Sequence, residues 1–126
     1  MSEESSTSIH DRLEQIIAWL HEKKARDVVG LDVRNFSSVT EGMIIATANS
    51  ARQAKSLGAW LLEQGKQHGA PAMGSEGMDI GQWILVDFND VVVHIFQEDV
   101  RELYNLEGLF ADVPRVAVTP GEEADG

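Results

Sequence analysis

The chain has 126 residues, no cysteine, a hydrophobic content of 43% and 21 acids against 10 bases, for a net charge of −11. That length suits one domain with a real core. The lack of cysteine excludes disulfides, thiolate zinc sites and thiol nucleophiles, and the charge argues against nucleic-acid binding through the general surface, because phosphate needs a basic footprint. Such acidity either keeps the protein soluble or steers it to a basic partner. No apolar run approaches the roughly 20 residues of a membrane span. The N-terminus MSEESSTS has no apolar signal region. The expectation is a cytoplasmic protein without membrane contact.

In chain order, the Ser- and Glu-rich residues 1–7 read as a disordered tail. Ser8, with Asp11 three residues on, caps an expected helix whose stripe is Ile9, Leu13, Ile16, Ile17 and Leu20. Trp19 lies off that stripe. Val28–Val33 and Met43–Ala48 read as strands, with loop between them. Ser50 and Gln53 form a second capping box, opening a helix that carries Ala54, Leu57, Leu61 and Leu62 inward. Gly58 is placed for close packing, and the helix should stop near Gly65 or Gly69. A weak edge strand is expected around Pro71–Ser75, so that Met43 onward forms a strand–helix–strand crossover. Met73 and Met78 read as core fillers.

The stretch WILVDFNDVVVHIF, residues 83–96, carries the strongest local signal. Two runs of β-branched and aromatic residues flank Asn89-Asp90, a pair that tolerates the positive φ of a tight type I′ turn. Counting outward from the turn, Leu85 faces His94 and Trp83 faces Phe96. One hairpin face then carries Ile84, Val86, Phe88, Val91, Val93 and Ile95 and belongs on the core. The other carries Trp83, Leu85, Asp87, Val92, His94 and Phe96. Either a further layer covers that mixed face or it is a patch that binds a partner. Glu98-Asp99 then starts a third helix with the stripe Val100, Leu103, Leu106 and Phe110, and Tyr104 alongside. Pro114 limits it, and residues 113–126 read as an acidic, disordered tail. One domain spans 8–112. The fold class is α/β of the α+β type, a small mixed sheet flanked by helices.

Few residues invite chemistry. Asp87 and Asp90 suit a divalent cation, but a hairpin-end acid and a turn residue explain them better. His94 beside Asp87 suits acid–base work, yet no nucleophile lies near. A hydrogen-bonded surface pair that fixes an interface is preferred. Ser37, Ser38 and Thr40 read as turn hydroxyls, and His10, His21 and His68 as solvated residues without metal spacing. No phosphate-binding glycine loop is present.

The segments LDVRNFSSVTEGMIIATANSARQ (31–53), Glu76-Gly77, the 83–96 hairpin and RELYNLEGLF (101–110) together resemble the ribosomal silencing factor family, also called Iojap-related. The resemblance covers roughly residues 9–112. Asn89 stands where Gly is usual, Ala48-Asn49 replaces Gly-Thr, and Phe110 stands where Trp is common. The resemblance implies a nucleotidyltransferase-like core without its chemistry. It implies a non-enzymatic repressor that needs no cofactor or metal. This repressor would bind the large ribosomal subunit at ribosomal protein L-fourteen, block joining of the small subunit and silence translation when nutrients are scarce. Trp83 matches the tryptophan expected at that interface. Asp87, Asp90 and His94 match the hairpin motif, and Arg101, Tyr104, Leu106 and Glu107 the helical one. The resemblance favours an exposed Trp83 face, with Trp83, Leu85, Asp87, His94 and Phe96 docking and Phe88, Asn89 and Asp90 at its edge. No direct nucleic-acid specificity is expected. A homodimer through the hairpin is a further expectation. The rival function is metal-dependent nucleotidyl transfer using Asp87, Asp90 and Asp32.

Overall fold

The computed structural model describes residues 2–116, with side chains described from Ile9 onward. Helix α1 (Ser2–Glu22) leads into β1 (Arg26–Asp32) and β2 (Gly42–Ala48). Helix α2 (Ala51–Gln67) and β3 (Gly74–Glu76) follow, then the hairpin β4 (Trp83–Asp87) and β5 (Val91–Gln97). The described chain closes with α3 (Glu98–Tyr104), α4 (Leu106–Leu109) and β6 (Arg115–Val116). The order matches the sequence reading, with α4 and β6 added. The strands form one six-stranded sheet in the order β3-β4-β5-β2-β1-β6. Every pairing is antiparallel except β2 with β5. The sheet is therefore mixed, as expected: the chain leaves β2, crosses through α2, lays down β3 at an edge and returns by the hairpin.

One layer is α1 and α2. The α1 stripe Ile9, Leu13, Ile16, Ile17 and Leu20 is fully buried against Ile44, Ala46, Ile84, Val86, Val93 and Ile95. Each such side chain contributes about 1.5–3 kcal/mol by removal from water. Trp19, off the stripe, is buried too: its ring lies 5.2 Å from His68 and 6.5 Å from Phe88, and its carbonyl accepts from Trp60 Nε1 at 2.9 Å. It is a keystone between α1, α2 and the hairpin. The Ser50 hydroxyl accepts from Gln53 N–H at 3.1 Å, while the Gln53 side chain accepts from Asn49 N–H. The capping box holds with its return bond one residue early. α2 ends at Gln67, with Gly69 at φ +74°. Met78 packs on the core against Gly58, where an added Cβ would lie 2.6 Å from its sulfur. Met73, expected inside, is exposed.

The other sheet face holds a smaller cluster. Leu31, Val33, Ile45, Phe96 and Val113 are buried, with Val100, Leu106 and Phe110 packed on them. The expected third-helix stripe is interrupted, because Asn105 takes the left-handed conformation (φ +46°) and divides α3 from α4. Leu103 consequently points to solvent. Arg101 anchors this layer: Nη1 donates to the Asp27 carbonyl at 2.7 Å and to Thr47 Oγ1 at 2.6 Å, and Nε donates to Glu107 at 2.9 Å.

Two boundaries move. α1 is helical from Ser2, so Ser8 does not begin it. Arg115 and Val116 pair with Leu31 and Gly30, so the folded part runs past residue 112. Residues 117–126 of the expected tail lie outside the described residues.

Candidate functional site

The hairpin register is as counted: Trp83 pairs with Phe96, Leu85 with His94, and Asp87 with Val92. The turn differs. Only Asn89 has positive φ (+77°), and Asp90 N–H donates to the Phe88 carbonyl at 2.9 Å, the three-residue bond of a γ-turn and not a type I′ turn. Asp87 stabilises it, its Oδ1 accepting from Asn89 N–H at 2.7 Å. Asp90 turns the other way and pairs with Arg12 of α1 at 2.9 Å. Thr40 Oγ1 donates to the Asp90 carbonyl at 3.0 Å, and Ser37 Oγ accepts from Val39 N–H at 3.1 Å, so the loop hydroxyls serve turns.

The mixed face is neither wholly covered nor wholly open. α3 and α4 cover its β2 end, and Phe96 is fully buried there, beneath Trp83 at a ring distance of 4.9 Å. Phe96 therefore supports the face without presenting itself on it. Phe88 is buried in the opposite layer. Over β3, and at Leu85, Asp87 and Val92 of the hairpin, the face stays partly open, with His94 buried between them. Cross-strand partners share a face, so the pairings set Glu76, Leu85 and His94 in one row and Gly74, Asp87 and Val92 in the next. Leu85, Asp87 and Val92 are half-buried and Glu76 is exposed.

Trp83 stands at the end of this strip. Its ring packs tilted against Tyr104 at 4.6 Å, and its Nε1 donates to His94 Nδ1 at 3.0 Å. A hollow of about 160 Å³ beside it is lined by Ile80, Val100 and Tyr104. The expected Asp87–His94 pair is replaced by this Trp83–His94 bond, because Asp87 is turned to the hairpin tip. Burial lowers the His94 pKa to about 4, so the ring is neutral near neutrality and Nδ1 can accept. Sequence reasoning passed over two contributors. Tyr104 reads from the sequence as a neighbour of the third-helix stripe and part of the helical motif, and Glu76 reaches the strip through the β3–β4 pairing. The signal for Glu76 was the Glu76-Gly77 pair: Gly77 has φ +84°, and an added Cβ would collide with the Trp83 carbonyl. Only glycine lets β3 approach Trp83 so closely.

The acids proposed for metal chemistry are otherwise engaged. Asp32 is held by Arg34 at 2.7 Å, whose hydrogen bond keeps its carboxyl below the usual range. Asp90 is held by Arg12 and Asp87 by the turn. Among the described residues no group of three His, Asp or Glu side chains is placed to hold a metal. A cleft of about 580 Å³ beside α3 carries Asp27, Glu98, Glu102 and Glu107. That lining repels a nucleotide phosphate, and the Arg101 within it is committed to Thr47, Asp27 and Glu107. Glu107 is in turn held below the ordinary carboxylate range by the Arg101 hydrogen bond. No helix among the described residues is long and apolar enough to cross a membrane.

The chain is similar in sequence and fold to known proteins. The family model described as ribosomal silencing factor during starvation matches residues 6–126. A ribosomal silencing factor of Haemophilus influenzae is 43% identical over 88 residues, covering 70% of this chain and 86% of that protein. One from Bacillus subtilis is 38% identical over 93 residues, covering 74% and 79%. A crystal structure of a Chromobacterium violaceum protein superposes with a TM-score of 0.76 at 37% identity, covering 81% of this chain and 83% of that one. The chain belongs to the ribosomal silencing factor family.

Proposed function

We propose that this protein is a non-enzymatic translational repressor of the cytoplasm, acting by steric exclusion. The open strip beside Trp83 docks on ribosomal protein L-fourteen of the large subunit, and the bound body blocks joining of the small subunit when nutrients are scarce. Family membership supports the ribosome-associated, regulatory part of this reading. The observation that carries the interface is the half-open hairpin face. A tryptophan held by Tyr104, Phe96 and His94 stands next to Leu85, with Glu76 beside Leu85 and with Asp87 and Val92 one row further on. A preorganised aromatic anchor beside apolar surface is the usual centre of a binding hot spot. The acids suit a basic protein and repel the surrounding RNA. Leu85, Asp87, Trp83 and the edge of His94 make the contact, with Phe96 as support beneath, while Asp90 and Phe88 face the α1 layer and stay out of it.

The test is co-sedimentation with purified large subunits, followed by a subunit-joining assay. Wild type pellets with the subunit and inhibits joining, while folded Trp83→Ala does neither. Failure of folded wild type to bind at micromolar concentration overturns the reading. A homodimer over the same strip would compete with docking, and sedimentation of the free protein reports it.

A further inference from the structure

The role of His94 goes beyond the docking reading on which it rests. Its Nδ1 accepts the Trp83 indole N–H at 3.0 Å. A neutral imidazole that accepts at one nitrogen carries its proton on the other, and burial keeps this ring neutral. His94 is only 7% exposed. Its Nε2 has no hydrogen-bond partner among the described residues, yet it is not sealed: the only sealed and unpartnered side-chain polar atom among them is His21 Nε2. The Nε2–H group therefore keeps some solvent access, and alternation sets the ring on the mixed face. It sits in the row Glu76, Leu85, His94, with Val92 and Asp87 in the next row. Leu85 separates it from Glu76, and Asp87 and Val92 share the neighbouring row.

We propose that His94 is a specificity-determining donor, presenting a single Nε2–H in a fixed tautomer to a carbonyl oxygen of the docked protein segment. A cation has nothing to accept from it there. A phosphate is disfavoured by the Glu76 and Asp87 carboxylates on the same strip. A carbonyl oxygen satisfies the donor without bringing charge into a partly apolar contact. Once docking excludes water, an Nε2–H without an acceptor would be a buried unpaired donor, so a surface lacking a carbonyl at that point is rejected. The Trp83 bond is thus a positioning device for His94 as well as for the tryptophan: it decides which ring nitrogen carries the proton.

Two variants separate the two nitrogens. His94→Asn places an acceptor where Nδ1 was and removes the outward donor. His94→Gln keeps a donor near the Nε2 position and loses the acceptor for Trp83. The affinity of each for purified large subunits, and for the isolated ribosomal protein, is compared with wild type, with the Trp83 indole N–H resonance read in the free proteins. His94→Asn keeps the hydrogen-bonded indole resonance but binds both partners roughly tenfold to a hundredfold more weakly. His94→Gln shifts that resonance and binds more tightly than His94→Asn. Ring nitrogen shifts of the unmutated free protein, which need no variant to fold, show the Nε2–H tautomer. An Nδ1–H tautomer overturns the proposal. So does undiminished binding by folded His94→Asn, which leaves docking intact. A loss seen with subunits but absent with the isolated protein moves the acceptor to RNA and overturns the carbonyl assignment. Absence of wild-type binding overturns docking itself.

Discussion

Acid should weaken this protein well above the range in which its carboxylates titrate, and His94 is the reason. In the unfolded chain its pKa is the ordinary 6.5, and in the fold burial lowers it to about 4. Between those values the unfolded chain binds more protons than the native state, so stability rises with pH across that window and is lost as pH falls through it. The whole difference corresponds to about 3 kcal/mol, of which about 2 kcal/mol has gone by about pH 5. His21, also lowered by burial, acts in the same direction. Asp32 and Glu107, held low by Arg34 and Arg101, contribute their losses only at lower pH. The assay is urea unfolding at several pH values for wild type and for His94→Asn, which cannot titrate but keeps an acceptor for Trp83. Wild type should lose about 2 kcal/mol more than the variant between neutrality and about pH 5. Parallel loss in the two proteins would refute the assignment, since His21 is common to both.

Other outcomes follow from the same contacts. Trp83→Ala should leave a folded protein whose binding to large subunits falls at least tenfold, as for a central aromatic anchor, whereas Glu76→Lys should mainly slow association, more so at low salt. Gly77→Ala should cost more than about 2 kcal/mol in denaturant unfolding, because both the positive φ and the Trp83 carbonyl oppose a side chain. Arg101→Ala should cost about 3 kcal/mol by leaving Glu107 and the Asp27 carbonyl without their donor. Arg101→Lys should recover little of it, since three acceptors in different directions need the guanidinium fork; equal thermal stability of the Lys variant and wild type would contradict this.

The parts of the fold that were legible in the sequence are those set by short-range pattern. The hairpin register came from counting outward from Asn89-Asp90, and the α1 and α2 stripes from helical spacing. The turn geometry was not legible, because Asn and Asp both tolerate positive φ and only Asn89 uses it. The stripe of Val100, Leu106 and Phe110 announced an apolar surface but not which sheet face it would cover. Hence the half-closure over Phe96 could not be read. The left-handed Asn105, which sends Leu103 outward, has little sequence signal beyond asparagine's tolerance of that region. Two-residue β6, just after Pro114, has too few residues to show alternation. At the site, Trp83, Leu85, Asp87 and His94 could be placed on one face from alternation alone. Glu76 could not, because its position depends on the edge pairing of a three-residue strand. Nor could the Trp83–His94 bond be told from an Asp87–His94 bond without side-chain directions.

The central β2–β5 ladder has a consequence for synthesis. Gly42 pairs with Val91, a separation of 91 − 42 = 49 residues, and Ala48 pairs with Gln97. Parallel pairings over such distances form late, after local hairpins and helices, since the loop entropy must be met before the ladder forms. On a ribosome the first half of the chain emerges with an apolar strand that has no neighbour on that side, and it gains one only when β5 clears the exit tunnel. The strip beside Trp83 forms with that same strand. A nascent copy therefore lacks the finished strip until β5 has emerged. On the docking reading, a copy that has not yet laid down β5 cannot silence a ribosome.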